Sequence, residues 1–403
     1  MMPGLEDVWR TELPHVLAAL TRRYGRFADC EDAAQLALIA AAEQWPRDGV
    51  PEQPRAWLLR VASRRLVDGL RSEGARRARE DAAARGAWAE DPLPAQPDDA
   101  LQLMVLCCHP ALSRSSQVAL TLRAVAGLTT AQIAAGFLVP EATMAQRISR
   151  AKTALARSGA RFAPPRPEDL PGRLLAVRHA VSLLFTEGHL RSAGAEAMSA
   201  PFAAEAIALA RELFAQAPSD PENAGLLALL VLTHARAAAR VDGRGDLVPL
   251  ADQDRALWDR NLILEGVSLL EEALPRGYVG EFQLQAAIAA VHAEAATAGD
   301  TDWPQILELY RMLEAVAPSA ATTIGVAAAT AEAEGLEAGL MVLRAVDDER
   351  NHRVHAVRGH LLARLGDADG ARAAFERAAQ LTRSIPEQRY LHRVAAELPP
   401  GAG

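Results

Sequence analysis

One lysine, Lys152, and three cysteines are all that the 403-residue sequence holds of those two residue types. Cys30 stands alone, and Cys107 and Cys108 are adjacent, so there is neither a CxxC pair nor a Cys/His set at ligand spacing. His109 follows them in "CCHP", yet neighbouring residues of a helix point in different directions and cannot face one ion together. Three small buried apolar cysteines are expected, with no metal and no cofactor. Long hydrophobic runs are missing too: "GLLALLVL" at 225–232 falls well short of the roughly 20 residues of a membrane span. The N-terminal "MMPGLEDVWRTELP" carries acids where a secretory signal has a basic and then an apolar run, so a cytoplasmic protein with no membrane partner is expected. P-loop, HExxH and GxSxG patterns are absent and the histidines are scattered, which argues against an enzyme.

What is present is an uneven charge. The formal net charge is −8, but residues 1–165 hold 21 basic against 18 acidic side chains, and residues 166–403 hold 22 against 33. The front is mildly basic and the back strongly acidic. Within the front, one arginine cluster runs from Arg55 to Arg85, and a second basic cluster comprises Arg147, Arg150, Lys152, Arg157 and Arg161. Two such stripes on separate helical units fit a protein that follows a phosphate backbone; solvated helix faces are the alternative.

Two proline-rich stretches, "DPLPAQPDD" at 91–99 and "FAPPRPEDLPG" at 162–172, oppose helix and strand and divide the chain into three segments. Nearly everything else has the Ala/Leu/Arg/Glu content and three-and-four spacing of helices, giving an all-α fold class. The exception is "RVDGRGDLVPL" at 240–250, read as a small hairpin or loop whose aspartates serve turn chemistry.

In the first segment, a helix is predicted to start at Asp29 or Glu31, to bury Ala33, Leu36, Ala37 and Ala40, and to stop at Trp45-Pro46. After the loop "RDGVPEQP", a second helix puts Trp57, Leu58, Val61, Leu66 and Leu70 on a buried stripe and Arg60, Arg64, Arg65, Asp68 and Arg71 outside. Trp57 beside arginines fits a wedge against unpaired bases or, equally, a core tryptophan. In the second segment, Thr129 and Gln132 form a capping box. Ile133, Ala134, Phe137 and Val139 are expected to pack on Met144, Ile148 and Ala151, with Pro140 and Thr143 starting the second helix. This is the layout of a helix-turn-helix, with Leu138 where many such turns carry glycine; an ordinary helical hairpin is the alternative. Gln146 and Arg147 suit base edges, and Arg150 and Lys152 suit phosphates.

"DCEDAAQLALIAAAEQWPRDGVPEQPRAWLLRVASRRLVDGLR" resembles region 2 of extracytoplasmic-function sigma factors of the sigma-70 family, and "VLCCHPALSRSSQVALTLRAVAGLTTAQIAAGFLVPEATMAQRISRAKTAL" resembles their region 4. "LLFTEGHL", "LADQDRALWDRNLILEG" and "GEFQLQAAIAAVHAEA" resemble the long TPR-like C-terminal extension of one subgroup. The resemblance implies a region 2 helical bundle at 1–90, a linker at 91–100, a region 4 helix-turn-helix at 101–161, a linker at 162–172 and a TPR-like solenoid at 173–403. It implies RNA polymerase core enzyme and promoter DNA as partners. Asp32, Ala33 and Gln35 would dock on the polymerase. Trp57, Arg60, Arg64, Arg65 and Arg71, with the loop from Gly49 to Pro54, would open the −10 element. Thr143, Gln146, Arg147, Arg150 and Lys152 would hold the −35 element.

The back segment repeats itself: an Ala-Pro-Ser stop recurs 100 residues apart, at Pro218 and Pro318, and a Gly-centred turn precedes an amphipathic helix at Gly335 and Gly366. Stacked helical hairpins follow, since one hairpin cannot bury its apolar face alone. The acidic extension is expected to contact the N-terminal sigma domains or a protein partner, and so to regulate promoter-specific initiation. The competing reading is a free-standing helix-turn-helix regulator with a TPR-like sensor; a plain interaction protein is a third.

Overall fold

The computed structural model describes residues 3–77, 99–137, 139–160, 166, 168–189, 193–194, 200–346 and 350–399. The fold is all-α, and the chain divides into two compact units, Met1–Ala180 and Val181–Gly403.

In the first unit, α1 (Pro3–Tyr24), α2 (Phe27–Asp48) and α3 (Pro54–Arg77) pack on one another. Leu17, Leu20, Ala37, Ala41, Leu58, Ala62 and Leu66 form their shared core. Three observations correct the sequence reading. The second helix begins at Phe27 and takes Pro46 into its last turn, ending at Gly49, whose φ of 84° turns the chain. Leu36 is 47% exposed, because the stripe that faces α1 and α3 runs through Ala33, Ala34, Ala37, Ala40 and Ala41 instead. On α3, Leu59 and Ala62 are buried while Trp57 and Val61 are half-buried.

α4 (Asp99–Cys107) and α5 (Arg114–Ala124) lead into α6 (Thr130–Gly136) and α7 (Glu141–Arg157). α1 packs on α4 and α5, and α2 packs on α7, so the two predicted sigma segments share one compact unit. Cys30, Cys107 and Cys108 are free and buried, and burial pushes the Cys30 and Cys108 thiols up to about 12. Most of the linker predicted at 91–100 lies outside the described residues. The one at 162–172 is shorter than expected: α8 (Leu170–His189) begins inside it, with Pro171 in the first turn, where its missing N–H leaves nothing unpaired. The boundary between units falls within α8.

In the second unit, α9 (Ala200–Gln216) and α10 (Pro221–His234) pack together. α11 (Arg260–Ala273), α12 (Glu281–Glu294), α13 (Trp303–Val316), α14 (Ala320–Ala333) and α15 (Leu336–Leu343) follow, then α16 (His352–Arg364), α17 (Ala368–Leu381) and α18 (Ile385–Glu397). Each packs on the next. The repeats seen in the sequence are repeats of structure. α9 and α13 stop just before their Ala-Pro-Ser segments, and Asp220 and Ser319 cap the helices that follow by accepting backbone N–H groups. Gly335 and Gly366, at φ 121° and 85°, make the turns before α15 and α17.

The unit is not an open row in which each repeat touches only its neighbours. β1 (Ala193–Gly194) pairs in parallel with β2 (Arg383–Ser384), tying its beginning to its end. The expected hairpin is present, with Val241 bridged to Leu247 and Asp242 Oδ1 accepting from the N–H groups of Arg244 and Asp246. Asp246 pairs with Arg389 of α18 at 3.1 Å.

α10 and α12 cross at Gly225, where a Cβ would lie 2.6 Å from the backbone N of Gln283. Gly225→Ala is expected to lower unfolding stability by about 1–3 kcal/mol. Gly69→Ala on the exposed side of α3, with nothing within 4 Å, should instead add about 0.5–1 kcal/mol. Denaturant titration checks both; equal effects would remove close helix approach as the reason for Gly225.

Candidate nucleic-acid interface

α6 and α7 form the helix-turn-helix. Thr129 and Gln132 make the expected box, with Gln132 N–H donating to Thr129 Oγ1 at 3.2 Å and Thr129 N–H donating to Gln132 Oε1 at 2.8 Å. Ile133 and Ala134 pack with Met144, Ile148 and Ala151, all buried. Pro140, not Thr143, precedes the second helix, and Thr143 sits exposed on its first turn. Leu138 lies outside the described residues.

A buried stripe at Met144, Ile148, Ala151 and Leu155 fixes which side of α7 looks outward. Thr143, Gln146, Arg147 and Arg150 fall at i, i+3, i+4 and i+7 on one face. Thr143, Gln146 and Arg150 are exposed, and no ion pair or side-chain hydrogen bond engages them among the described residues. Arg147 is half-buried because its guanidinium lies over the Phe137 ring, 5.3 Å from the centroid. Phe137 thus works as a platform for the Arg147 guanidinium, a role its apolar character alone did not indicate.

Lys152 belongs elsewhere, which corrects its assignment to a phosphate contact. Nine residues beyond Thr143, at about 100° per residue, is half a turn away from the reading face. Its Nζ pairs with Glu31 and, at 3.4 Å, with Asp32, both on α2. The Glu31 carboxylate, 2% exposed, also accepts from Arg123 Nε of α5 at 3.1 Å, while Arg123 Nη1 donates to the Leu128 carbonyl. One buried carboxylate therefore joins α2 to α5 and α7. Sequence reasoning placed Glu31 only as a helix start.

The α2 face expected to meet the polymerase is partly different from the prediction. Ala33 is 3% exposed, packed inward and out of reach of a partner. Asp32, Gln35, Leu36 and Ile39 share an i, i+3, i+4, i+7 face on which Leu36 is 47% and Ile39 55% exposed. Two exposed large apolar side chains one helical turn apart are unusual on a solvated helix face. From sequence Leu36 was expected to be buried and Ile39 was not singled out, because apolar residues in a helical pattern read as core.

On α3, Arg60, Arg64 and Arg65 are exposed, with no ion pair among the described residues, whereas Arg55 pairs with Glu12 of α1. The side chain of Arg71 lies outside the described residues. Trp57 stands edge-on to the buried Trp45, ring centroids 5.4 Å apart, and remains half open beside the exposed loop at 49–53.

Glu31→Gln keeps the shape and removes the charge. It is expected to cost about 1.5–3 kcal/mol by weakening charge-assisted hydrogen bonds. It should also speed acylation of Lys152, the chain's one lysine, by an amine reagent, read by mass spectrometry. Acylation as slow as in the parent would show that Glu31 does not hold Lys152.

The sigma-70 region 2 family matches residues 8–76, the sigma-70 region 4 family matches residues 102–155, and a family of unknown function, DUF6596, matches residues 173–274. An uncharacterized protein of Rhizobium meliloti (strain 1021) is 40% identical over 388 residues, which span 94% of this chain and 92% of that one. No solved structure matches. With region 2 and region 4 both matched, the chain belongs to the sigma-70 family of RNA polymerase sigma factors.

Proposed function

We propose that this sigma factor is of the extracytoplasmic-function type. In this reading the α2 patch of Asp32, Gln35, Leu36 and Ile39 docks on core polymerase, and Trp57 with Arg60, Arg64, Arg65 and Arg71 opens the −10 element. Thr143, Gln146, Arg147 and Arg150 hold the −35 element. The observation that carries the reading is the α7 face, four polar side chains at helical spacing backed by a buried stripe and, among the described residues, free of ion pairs. A specificity subunit needs no catalytic group of its own, because polymerisation is chemistry of the core enzyme.

The arrangement around Glu31 belongs to the unengaged protein in this account. Elements centred near −10 and −35 lie about 25 base pairs apart, on the order of 85 Å at ~3.4 Å per base pair. α7 packs on α2 and α2 on α3, and packed helices sit ~8–10 Å apart, so α3 and α7 stand within roughly 20 Å. Both elements can be held at once only after α7 leaves α2, which exposes Glu31 and frees Asp32.

The TPR-like extension regulates initiation through the first unit or a protein partner, and its acidic balance keeps it from competing for DNA. Run-off transcription with core polymerase and the promoter upstream of the protein's own gene tests the reading. Arg147→Ala is expected to weaken promoter binding about 10-fold to 100-fold. Trp57→Ala should spare polymerase binding and cut open-complex formation. A chain ending at Ala180 should lose activity. A footprint without polymerase, and a transcript indifferent to Trp57, would favour a free-standing regulator.

A further inference from the structure

The second unit gathers positive charge at one place. Three arginines, Arg236, Arg240 and Arg255, come together around the hairpin at 241–247. Two are accounted for. Arg255 donates from Nη1 to the carbonyls of His292 and Ala295 at 2.7 and 2.6 Å and lies 4.5 Å from the Trp258 ring centroid. Arg236 lies 5.9 Å from the same ring. Arg240 differs: its backbone carbonyl accepts from Val248 N–H and anchors the hairpin, but no hydrogen bond or ion pair engages its side chain among the described residues. Its Nε is buried without an acceptor. Burial pushes this guanidinium down to about 10, and no carboxylate nearby counters it. A half-buried guanidinium whose Nε has no acceptor is incompletely satisfied, and an anion seated beside it would complete its hydrogen bonding.

Arg240 is among the residues lining a half-open pocket of about 220 Å³ between α8, α10 and α12. Phe185, Leu229 and Leu230 supply apolar walls, while Ser182 and Thr233 add hydroxyl groups. Thr186 donates its proton to the Ser182 carbonyl and keeps its lone pairs free. Gln285 is occupied with Glu281. One guanidinium balances one negative charge, and its planar fork matches a carboxylate. A phosphate dianion calls for more donors than a single arginine and a few hydroxyls, whereas the apolar walls suit a hydrocarbon tail.

We propose that this cavity binds a small organic monocarboxylate, with the carboxylate on Arg240 and the apolar part against Phe185, Leu229 and Leu230. The site lies wholly within the second unit and makes it a small-molecule sensor.

Thermal unfolding of the full chain in benzoate, butyrate or inorganic phosphate, against sodium chloride of equal ionic strength, tests this. At about 100-fold excess over Kd, benzoate or butyrate is expected to raise Tm by about 5 °C or more, saturably. The shift should vanish in Arg240→Met and shrink in Thr233→Val, a milder change should the first variant fold poorly. No saturable carboxylate shift, an equal shift in Arg240→Met, or a shift with phosphate alone would each overturn the assignment. A lower Tm of Arg240→Met without any carboxylate effect on the parent would make Arg240 a structural residue and overturn it too.

Discussion

A carboxylate that is 2% exposed needs partners to offset its lost hydration, and Glu31 has two cations, Arg123 and Lys152, drawn from different helices. That requirement sets the relation between α2 and the helix-turn-helix. It orients α7 so that Lys152 faces inward, and helical periodicity then turns Thr143, Gln146, Arg147 and Arg150 outward. The same contact occupies Asp32, leaving Leu36 and Ile39 as the open part of the α2 patch.

The arrangement has a directional consequence for a sigma factor. A contact built from charges weakens little while it is dry and greatly once water enters, so opening is cooperative rather than gradual. Docking a partner on Leu36 and Ile39 brings chemistry to the same helix that carries Glu31 and Asp32. In the proposed function, engagement of the polymerase and release of α7 are coupled through α2.

Periodicity made much of this legible. The capping box at Thr129 and Gln132, the buried stripe of α7, the exposed arginines of α3, the hairpin at 241–247 and the repeated stops at Pro218 and Pro318 are local consequences of residue type and spacing. What sequence left out was long-range. Leu36 reads as core because nothing local says that the alanines of α2 already fill the contact. Lys152 reads as a phosphate ligand because its charge, unlike its position on the helix, does not reveal that Glu31 lies 121 residues earlier and within reach. Arg240 reads as one arginine among many, since only the fold shows that its Nε is buried without an acceptor among the described residues. The closure of the second unit through two-residue strands carries no sequence signal at all.

In the proposed function one compact arrangement, held at Glu31, gives way to a separated one when both promoter elements are held. The distance between labels on introduced cysteines, one on the exposed side of α3 and one on that of α7, measures it directly; the native cysteines are buried and stay silent. The account predicts a short distance in the free protein and a separation of several tens of ångströms in a transcribing complex with core polymerase and promoter. An unchanged short distance in a complex that makes transcript would contradict it.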